Sequence, residues 1–262
     1  MAATVHLLLS KPARARKEVA DTEDEEAYRT FLAERSERIH EKIQEALEKA
    51  GRGDEKITLA AVSKTVGPEE VALAWQEGYR VFAENRPQEL RRKLEAIEGN
   101  PSMAGVRFDM IGNFQTNKVN MVVGKVGLIQ SVSSVHLAET ISKHSLARNL
   151  VSKVLLEVNV SGEQSKSGFA PDELRASMDT LQGMAGIQIE GLMTMAPAHD
   201  PDAARRTFSG LRELAEELRA RTALRLPELS CGMSDDFPIA LEEGSTLIRL
   251  GRVVFSPDYE LM

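Results

Sequence analysis

Apolar and polar positions follow two different periods along this chain. From residue 57 to 250, short apolar runs alternate with longer stretches in which apolar residues recur every three or four positions. This alternation predicts repeated βα units, and continuous apolar runs are typical of strands buried on both faces of a parallel sheet. The eight predicted strands are 57–62, 80–83, 106–111, 127–131, 154–160, 187–195, 228–231 and 247–250.

The stretches between these runs have helical periodicity. Eight βα units in roughly 200 residues favour a closed (β/α)₈ barrel, although an open doubly wound sheet is the alternative. An open sheet would be expected to carry a glycine-rich G-x-G-x-x-G or Walker turn, and the chain has neither. We therefore predict a single TIM-like barrel, with helices over 69–77, 87–97, 135–146, 171–181, 203–221 and 237–243.

The region before the first strand divides into two parts. Residues 1–24 lack an apolar period, which predicts a flexible leader. Thr22 and Glu25 have the spacing of a capping box, and the apolar residues from Tyr28 to Ala50 then fall near one helical face. We predict a leader over 1–24 and a single domain over 25–262 that begins with a long helix.

Composition narrows the classes of function. A net charge of -7 and a pI near 5.4 argue against binding to nucleic acid or to an anionic membrane surface. The single cysteine, Cys231, fits the reducing cytoplasm and is predicted to be a buried residue without thiolate chemistry. The five histidines have no metal-ligand spacing, and no apolar run has the length of a signal peptide or membrane span. A cytoplasmic protein without a metal is predicted.

Chemistry in such a barrel is expected just after the strands, at their carboxyl ends. Lys64 follows the first strand, where it could form a Schiff base with an aldehyde or simply extend into solvent. Ser234 and Gly251 follow strands seven and eight, where barrels often bind phosphate, although ordinary capping and turn roles are equally compatible. Together these positions suggest a phosphorylated aldehyde as ligand. Lys166 is a further lysine after strand five, for which we favour an exposed loop charge over a ligand role.

Several longer motifs resemble one known family. They are AVSKT at 61–65, AENRPQEL at 83–90, MIGNFQTNK at 110–118, LLEVNVSGEQSKSGF at 155–169, GLMTMAP at 191–197 and ELSCGMSDDFPIALEEGSTLIRLG at 228–251. In combination they are similar to the motifs of the pyridoxal phosphate homeostasis proteins. The resemblance implies a barrel of the alanine racemase N-terminal type, with pyridoxal 5′-phosphate held as an internal aldimine on Lys64.

The same resemblance implies the surroundings of the cofactor. Asn85 would lie beside it, and Arg249 would face the pyridine nitrogen with Gly251 behind it, while Met233 and Ser234 would lie on the phosphate side. The chain departs from the family pattern at Ala83, Asn113-Phe114 and Arg252, where the family usually has Gly, His-Leu and Ser or Thr. Arg252 could itself contact the phosphate. The implied cofactor-binding residues are Lys64, Asn85, Met233, Ser234, Arg249 and Gly251.

Three functions agree with such a site: a cofactor carrier, an amino-acid racemase and a Schiff-base aldolase. Racemisation needs two opposed acid/base groups, and Tyr28, Tyr79 and Tyr259 are all predicted away from the strand ends. Arg249 opposite the pyridine nitrogen cannot hand over a proton, which makes the ring a poor electron sink. We therefore predict a monomeric pyridoxal phosphate homeostasis protein without substantial catalysis, with apo pyridoxal phosphate-dependent enzymes as recipients of the cofactor.

Overall fold

The computed structural model of the protein describes residues 22–261. Eight parallel strands close into a barrel in sequence order, each paired with its neighbours along the chain and β1 paired with β8. This confirms the predicted (β/α)₈ barrel. The predicted fifth and sixth strands extend beyond the observed ones, because the apolar pattern continues into the loops that follow. The strands are β1 Thr58–Val62, β2 Val81–Glu84, β3 Arg107–Met110, β4 Leu128–Val132, β5 Ser152–Glu157, β6 Ile187–Met193, β7 Glu228–Ser230 and β8 Leu247–Leu250.

Helices connect the strands except between β3 and β4. There the crossover contains only a 3₁₀ segment, Thr116–Met121, in a stretch rich in asparagine and valine, which are weak helix formers. Another 3₁₀ segment, Pro101–Met103, precedes β3. The α-helices are α1 Thr22–Lys49, α2 Pro68–Gln76, α3 Pro87–Ile97, α4 Val135–Leu146, α5 Pro171–Gln182, α6 Pro201–Arg221, α7 Phe237–Glu242 and α8 Arg252–Phe255.

The predicted long helix begins slightly earlier than the sequence indicates. Residues 22–24, which we assigned to the leader, belong to α1. Residues 1–21, the rest of that predicted leader, lie outside the described residues. Of the helices within residues 22–261, none combines the length and the apolar character needed to cross a membrane.

Side chains of the strands pack in two separate layers. The larger layer lies between the strands and the surrounding helices. The inner layer fills the barrel with mostly small or aliphatic residues, as expected when parallel strands are buried on both faces. Its buried members are Ala60, Val62, Ala83, Leu128, Leu155, Met193 and Leu247.

Helix α1 packs against α2, α7 and α8 on the outside of the barrel. Buried Arg35 donates from Nη1 to the carbonyl oxygen of Val253 at 2.9 Å, and the Tyr28 hydroxyl donates to that of Phe255 at 3.1 Å. Arg38 reaches the carbonyl of Leu261 at 2.8 Å. The long N-terminal helix therefore holds the segment that follows β8 against the barrel.

Candidate functional site

Lys64 lies at the carboxyl-terminal end of the barrel, which we call the mouth. It occupies a turn directly after β1, closed by the hydrogen bond from Val66 N to the Ser63 carbonyl at 3.1 Å. Ala60 and Val62 face the barrel interior, so the period of two assigns Lys64 to the same side. Its side chain is exposed, and within residues 22–261 no hydrogen bond or ion pair engages Nζ. The amine is therefore accessible to a ligand in the mouth.

Asn85 follows β2 with the same alternation. Val62 and Ala83 are partners across β1 and β2 and both belong to the inner layer, so Lys64 and Asn85 continue two adjacent strands on the mouth side. The loop after β3 passes so close that a Cβ on Gly112 would collide with the Asn85 carbonyl. Only glycine permits this approach, which fixes the backbone beside Asn85.

Arg249 is held inside the barrel just below the mouth. Its side chain is almost fully buried, with the residue 3% exposed. Nη1 donates to Ser230 Oγ at 2.6 Å and Nη2 donates to the Thr194 carbonyl at 3.0 Å, whereas Nε has no hydrogen-bond partner in the described part of the chain. Burial lowers the pKa of Arg249, and the nearby acidic groups of Cys231, Asp236 and Glu157 oppose that shift. The guanidinium is thus fixed in orientation, and Nε is its one nitrogen without a hydrogen-bond partner among the described residues.

A polar chain continues from Arg249 across the interior. Ser230 Oγ donates to Gln130 Oε1 at 2.7 Å, and Gln130 Nε2 donates to Asp109 Oδ2 at 2.8 Å. Arg107 then donates to both Asp109 oxygens at 2.8 and 2.9 Å. Burial raises the pKa of Asp109, while Arg107 and Gln130 oppose that shift. This series of hydrogen bonds was not predicted from the sequence, although polar residues at inward positions of apolar strands were a signal of it.

The loops after β7 and β8 are joined through Ser234. This buried residue accepts a hydrogen bond at Oγ from Val253 N at 3.3 Å, so its own hydroxyl hydrogen is left for another acceptor. Gly232 before it has a φ of +94°, and a Cβ there would lie 2.7 Å from Ala240 Cβ. Met233 is 37% exposed, and its N–H already donates to Asp236 Oδ1 at 2.6 Å. Among the described residues, the Ser234 hydroxyl hydrogen therefore has no acceptor, whereas the Met233 N–H is already used.

Arg252 and the C-terminal tail meet at the same loop. Arg252 Nη2 pairs with Asp235 Oδ2 at 2.6 Å, and its guanidinium lies 5.2 Å from the centre of the Tyr259 ring. The Asp235 carboxylate would therefore compete with a phosphate for the Arg252 guanidinium. The Tyr259 hydroxyl lies 2.7 Å from Asp235 Oδ1 and 2.9 Å from the Ser234 carbonyl. Our expectation that Tyr259 lies away from the strand ends was wrong.

Glu157 is a further buried acidic residue that was not predicted from the sequence. It follows Leu155 of the inner layer by two residues and is only 2% exposed. Oε1 accepts from Ser167 Oγ at 2.6 Å, and Oε2 has no partner within residues 22–261. Burial raises the pKa of Glu157, against the opposing effects of the Ser167 hydrogen bond and the Arg249 charge. An acid in the otherwise apolar run VLLEV, residues 154–158, was the available signal.

Lys166 lies close to Glu157 in sequence, in the loop after β5. Its side chain is 18% exposed, and Nζ donates to the Met195 carbonyl at 3.3 Å. It also pairs with Glu163 at 3.3 Å. The expectation of an exposed loop charge was therefore wrong, because the loop folds back towards the end of β6.

The raised pKa of Glu157 gives a testable dependence of stability on pH. A carboxyl whose pKa is higher in the folded state stabilises the fold below its unfolded pKa, and this contribution disappears as pH rises through the folded pKa. Glu157→Gln keeps the shape without the charge. We expect the variant to match the wild type at about pH 4 and to melt roughly 2–8 °C higher at about pH 8.

Thermal melts followed by circular dichroism across this pH range measure the difference between the two proteins. Because both contain Asp109 and Asp236, whose pKa values are also raised by burial, their contribution cancels in the comparison. A difference that is equal at both ends of the range would contradict the raised pKa of Glu157.

Comparison with known proteins assigns the chain to a family. The sequence profile described as alanine racemase, N-terminal domain, matches residues 35–257. A pyridoxal phosphate homeostasis protein of Aquifex aeolicus is 41% identical over 223 residues, which are 85% of this chain and 96% of that protein. The chain belongs to the family of pyridoxal phosphate homeostasis proteins. Another member, from Pseudomonas aeruginosa, is 35% identical over 225 residues, covering 86% of this chain and 94% of the relative.

Solved structures agree with this membership. PipY of Synechococcus elongatus, whose structure was determined with PLP bound, has a TM-score of 0.75 and 31% identity, covering 86% of this chain and all of that one. An alanine racemase of Clostridium difficile has a TM-score of 0.63 at 14% identity, over 87% of this chain and 55% of the racemase. The second likeness concerns the fold alone. The family resemblance and the alanine racemase-type barrel predicted from the sequence are confirmed.

Proposed function

We propose that this family member binds pyridoxal 5′-phosphate at the mouth of the barrel and serves its intracellular homeostasis. The observation that carries the proposal is the pairing of two groups at the mouth: the exposed amine of Lys64 and the Nε of buried Arg249, neither of which has a partner within residues 22–261. The names of the relatives and the cofactor present in the PipY structure support the same ligand.

The mouth contains a residue suited to each of three groups of this cofactor: the aldehyde, the ring nitrogen and the phosphate. Lys64 would hold the cofactor through its amine, because the cofactor would supply an aldehyde that condenses with a primary amine and releases water. Arg249 Nε would hold the ring nitrogen by a hydrogen bond, and because a guanidinium keeps its protons, it would not protonate that nitrogen. Ser234 Oγ accepts from Val253 N and retains a hydrogen to donate to a phosphate oxygen. Asn85, Met233 and Gly251 complete the proposed site.

The proposed role is that of a carrier. A site that leaves the ring nitrogen unprotonated withholds much of the electron-accepting power that catalysis needs, while the bond to Lys64 can be reversed by water. We propose that apo pyridoxal phosphate-dependent enzymes receive the cofactor from a monomeric protein. A cytoplasmic location fits the single, buried cysteine.

The direct test is spectroscopic. Purified protein incubated with pyridoxal 5′-phosphate should show a new visible absorbance band that borohydride removes, and peptide mapping should find the reduced adduct on one lysine. The loaded protein should then restore activity to an apo pyridoxal phosphate-dependent enzyme. No adduct, or adducts spread over all exposed lysines, would contradict the proposal.

Racemase activity is a second candidate because the tail places Tyr259 at the loop after β7. Burial, helped by Asp235, raises the pKa of Tyr259 to about 12, so this hydroxyl is a poor acid/base near neutral pH. One missing acid/base group typically costs roughly 10²- to 10⁴-fold in rate. We expect loaded protein to exchange the α-hydrogen of alanine, serine or glutamate with deuterated water at most at a trace rate.

The assay compares loaded protein with free pyridoxal 5′-phosphate by mass spectrometry. Turnover of about 1 s⁻¹ or faster would be in the enzymatic range and would favour the racemase over the carrier. In that case Tyr259→Phe should remove the activity. A trace rate that is the same in Tyr259→Phe agrees with the carrier.

A further inference from the structure

Ser63, the residue before Lys64, is held by an unusual number of hydrogen bonds. Its N–H donates to the Ala83 carbonyl at 3.0 Å, which continues the β1–β2 ladder by one residue. Its carbonyl accepts from Val66 N at 3.1 Å and also from Lys93 Nζ at 2.6 Å. Its hydroxyl donates to Glu84 Oε1 at 2.6 Å. The first residue of the turn that carries Lys64 is therefore fixed at every polar atom.

Two of these bonds come from a buried ion pair. Lys93 of α3 and Glu84 of β2 contact each other directly, and Ser63, Glu84 and Lys93 are all fully buried. We call these three residues the Ser63 cluster. Because Glu84 immediately precedes Asn85, the cluster links the backbones from which both Lys64 and Asn85 extend. Neither Glu84 nor Lys93 faces the barrel interior, since both lie on the helix side of the sheet.

The buried pair of Lys93 and Glu84 is expected to contribute little to the stability of the fold. Glu84 Oε1 receives both the Ser63 hydroxyl and the Lys93 ammonium, while Oε2 is buried with no partner among the described residues. A buried charge pair recovers its desolvation cost only when its remaining atoms are also satisfied, and apolar residues of similar volume are often as stable or more so. Both members of the pair instead bind Ser63: Glu84 accepts from its hydroxyl and Lys93 donates to its carbonyl oxygen.

We infer that Glu84 and Lys93 are positioning residues for Lys64: they hold the Ser63–Val66 turn so that the Lys64 amine is presented to the aldehyde. This inference rests on the proposed function. Because neither residue faces the barrel interior, both act on Lys64 through Ser63, Lys93 at its carbonyl oxygen and Glu84 at its hydroxyl. Misplacement of a reacting group by about 1 Å can cost on the order of 100-fold in rate. Removing the cluster should therefore slow covalent attachment without weakening the noncovalent site.

The experiment compares covalent and noncovalent binding in one variant. The double variant Glu84→Leu with Lys93→Met replaces the pair by apolar side chains of similar volume, which avoids leaving one buried charge alone. Pyridoxine 5′-phosphate lacks the aldehyde, so its affinity, measured by calorimetry, reports the noncovalent site. The rate of attachment of pyridoxal 5′-phosphate, measured by stopped-flow absorbance and borohydride trapping, reports the position of Lys64.

We expect attachment to slow by roughly tenfold or more while the affinity for pyridoxine 5′-phosphate changes less than about threefold. Equal changes in both quantities, or no change in either, would overturn the inference and assign the cluster a structural role only. A wild type that never attaches the cofactor would instead refute the proposed function, so the two failures are distinguishable.

Single substitutions at Ser63 give an independent test if the double variant does not fold. Ser63→Ala removes the bond to Glu84 and should slow attachment, whereas Ser63→Thr keeps the hydroxyl and should restore most of the rate. Equal attachment rates in Ser63→Ala and the wild type would contradict the inference. The control is Lys153→Met with Glu190→Leu, which removes a more exposed ion pair of 3.6 Å between the start of β5 and the middle of β6. That variant should attach the cofactor at the wild-type rate.

Discussion

Lys64→Ala is expected to abolish the borohydride-stable adduct with pyridoxal 5′-phosphate completely. A covalent bond to an aldehyde needs a primary amine, and Lys64 has an exposed amine with no partner in residues 22–261. Its side chain packs into no core, so the variant should keep the melting temperature of the wild type. Absorbance spectra, intact-protein mass after borohydride and peptide mapping together measure this loss.

A matched control exists at the opposite end of the same strand. Lys56 is also exposed and lies just before β1, so Lys56→Ala should leave the adduct unchanged. Lys118 and Lys166 are partly buried lysines in the loops after β3 and β5. A normal amount of adduct in Lys64→Ala, mapped to either of them, would refute the assignment of Lys64.

Ser234→Ala is expected to weaken the binding of pyridoxal 5′-phosphate by roughly 10- to 100-fold. The hydroxyl is proposed to donate to a phosphate oxygen, and a hydrogen bond to a charged group is typically worth about 1.5–3 kcal/mol. Pyridoxal, which has no phosphate, should bind nearly as well to the variant as to the wild type. Equilibrium dialysis of both ligands measures the selectivity directly.

Two controls distinguish the loss of a phosphate contact in Ser234→Ala from a general disturbance of the loop after β7. Ser234 Oγ also accepts from Val253 N, so the melting temperature of the variant must be compared with that of the wild type. Ser161→Ala, in the loop after β5, alters a hydroxyl at another part of the mouth and should affect neither ligand. Equal losses for pyridoxal and its phosphate in Ser234→Ala would show that phosphate binds elsewhere.

Much of the barrel followed from local pattern alone. Apolar runs and helical periods predicted every strand and the connecting helices, because strand and helix formation depend on which face a short segment must bury. The position of Lys64 after β1 was also determined in this way. The pattern placed the ends of β5 and β6 too late, because apolar residues continue past both strands. Hydrophobic periodicity does not show where the hydrogen bonding between strands stops.

The family resemblance named pyridoxal 5′-phosphate as the candidate ligand, and the structure showed the contacts of the residues proposed to bind it. The sequence could name Arg249, but only the barrel brings it to Ser230 and Thr194, which fix its guanidinium and leave Nε without a partner among the described residues. Likewise the sequence could name Arg252 at an unusual position, whereas its pairing with Asp235 appears only once the loops after β7 and β8 are adjacent.

The sequence by itself determined the barrel class, the order of its elements and the lysine at the end of the first strand. Tertiary structure alone decided which distant residues meet: the contact of Lys93 and Glu84 with Ser63, the return of Tyr259 to the loop of Ser234, and the burial of Glu157 behind Ser167. The physical reason is that hydrophobic periodicity specifies which side of an element is buried. The partner of a buried charge depends on the packing of elements far apart in the chain, which no local period encodes.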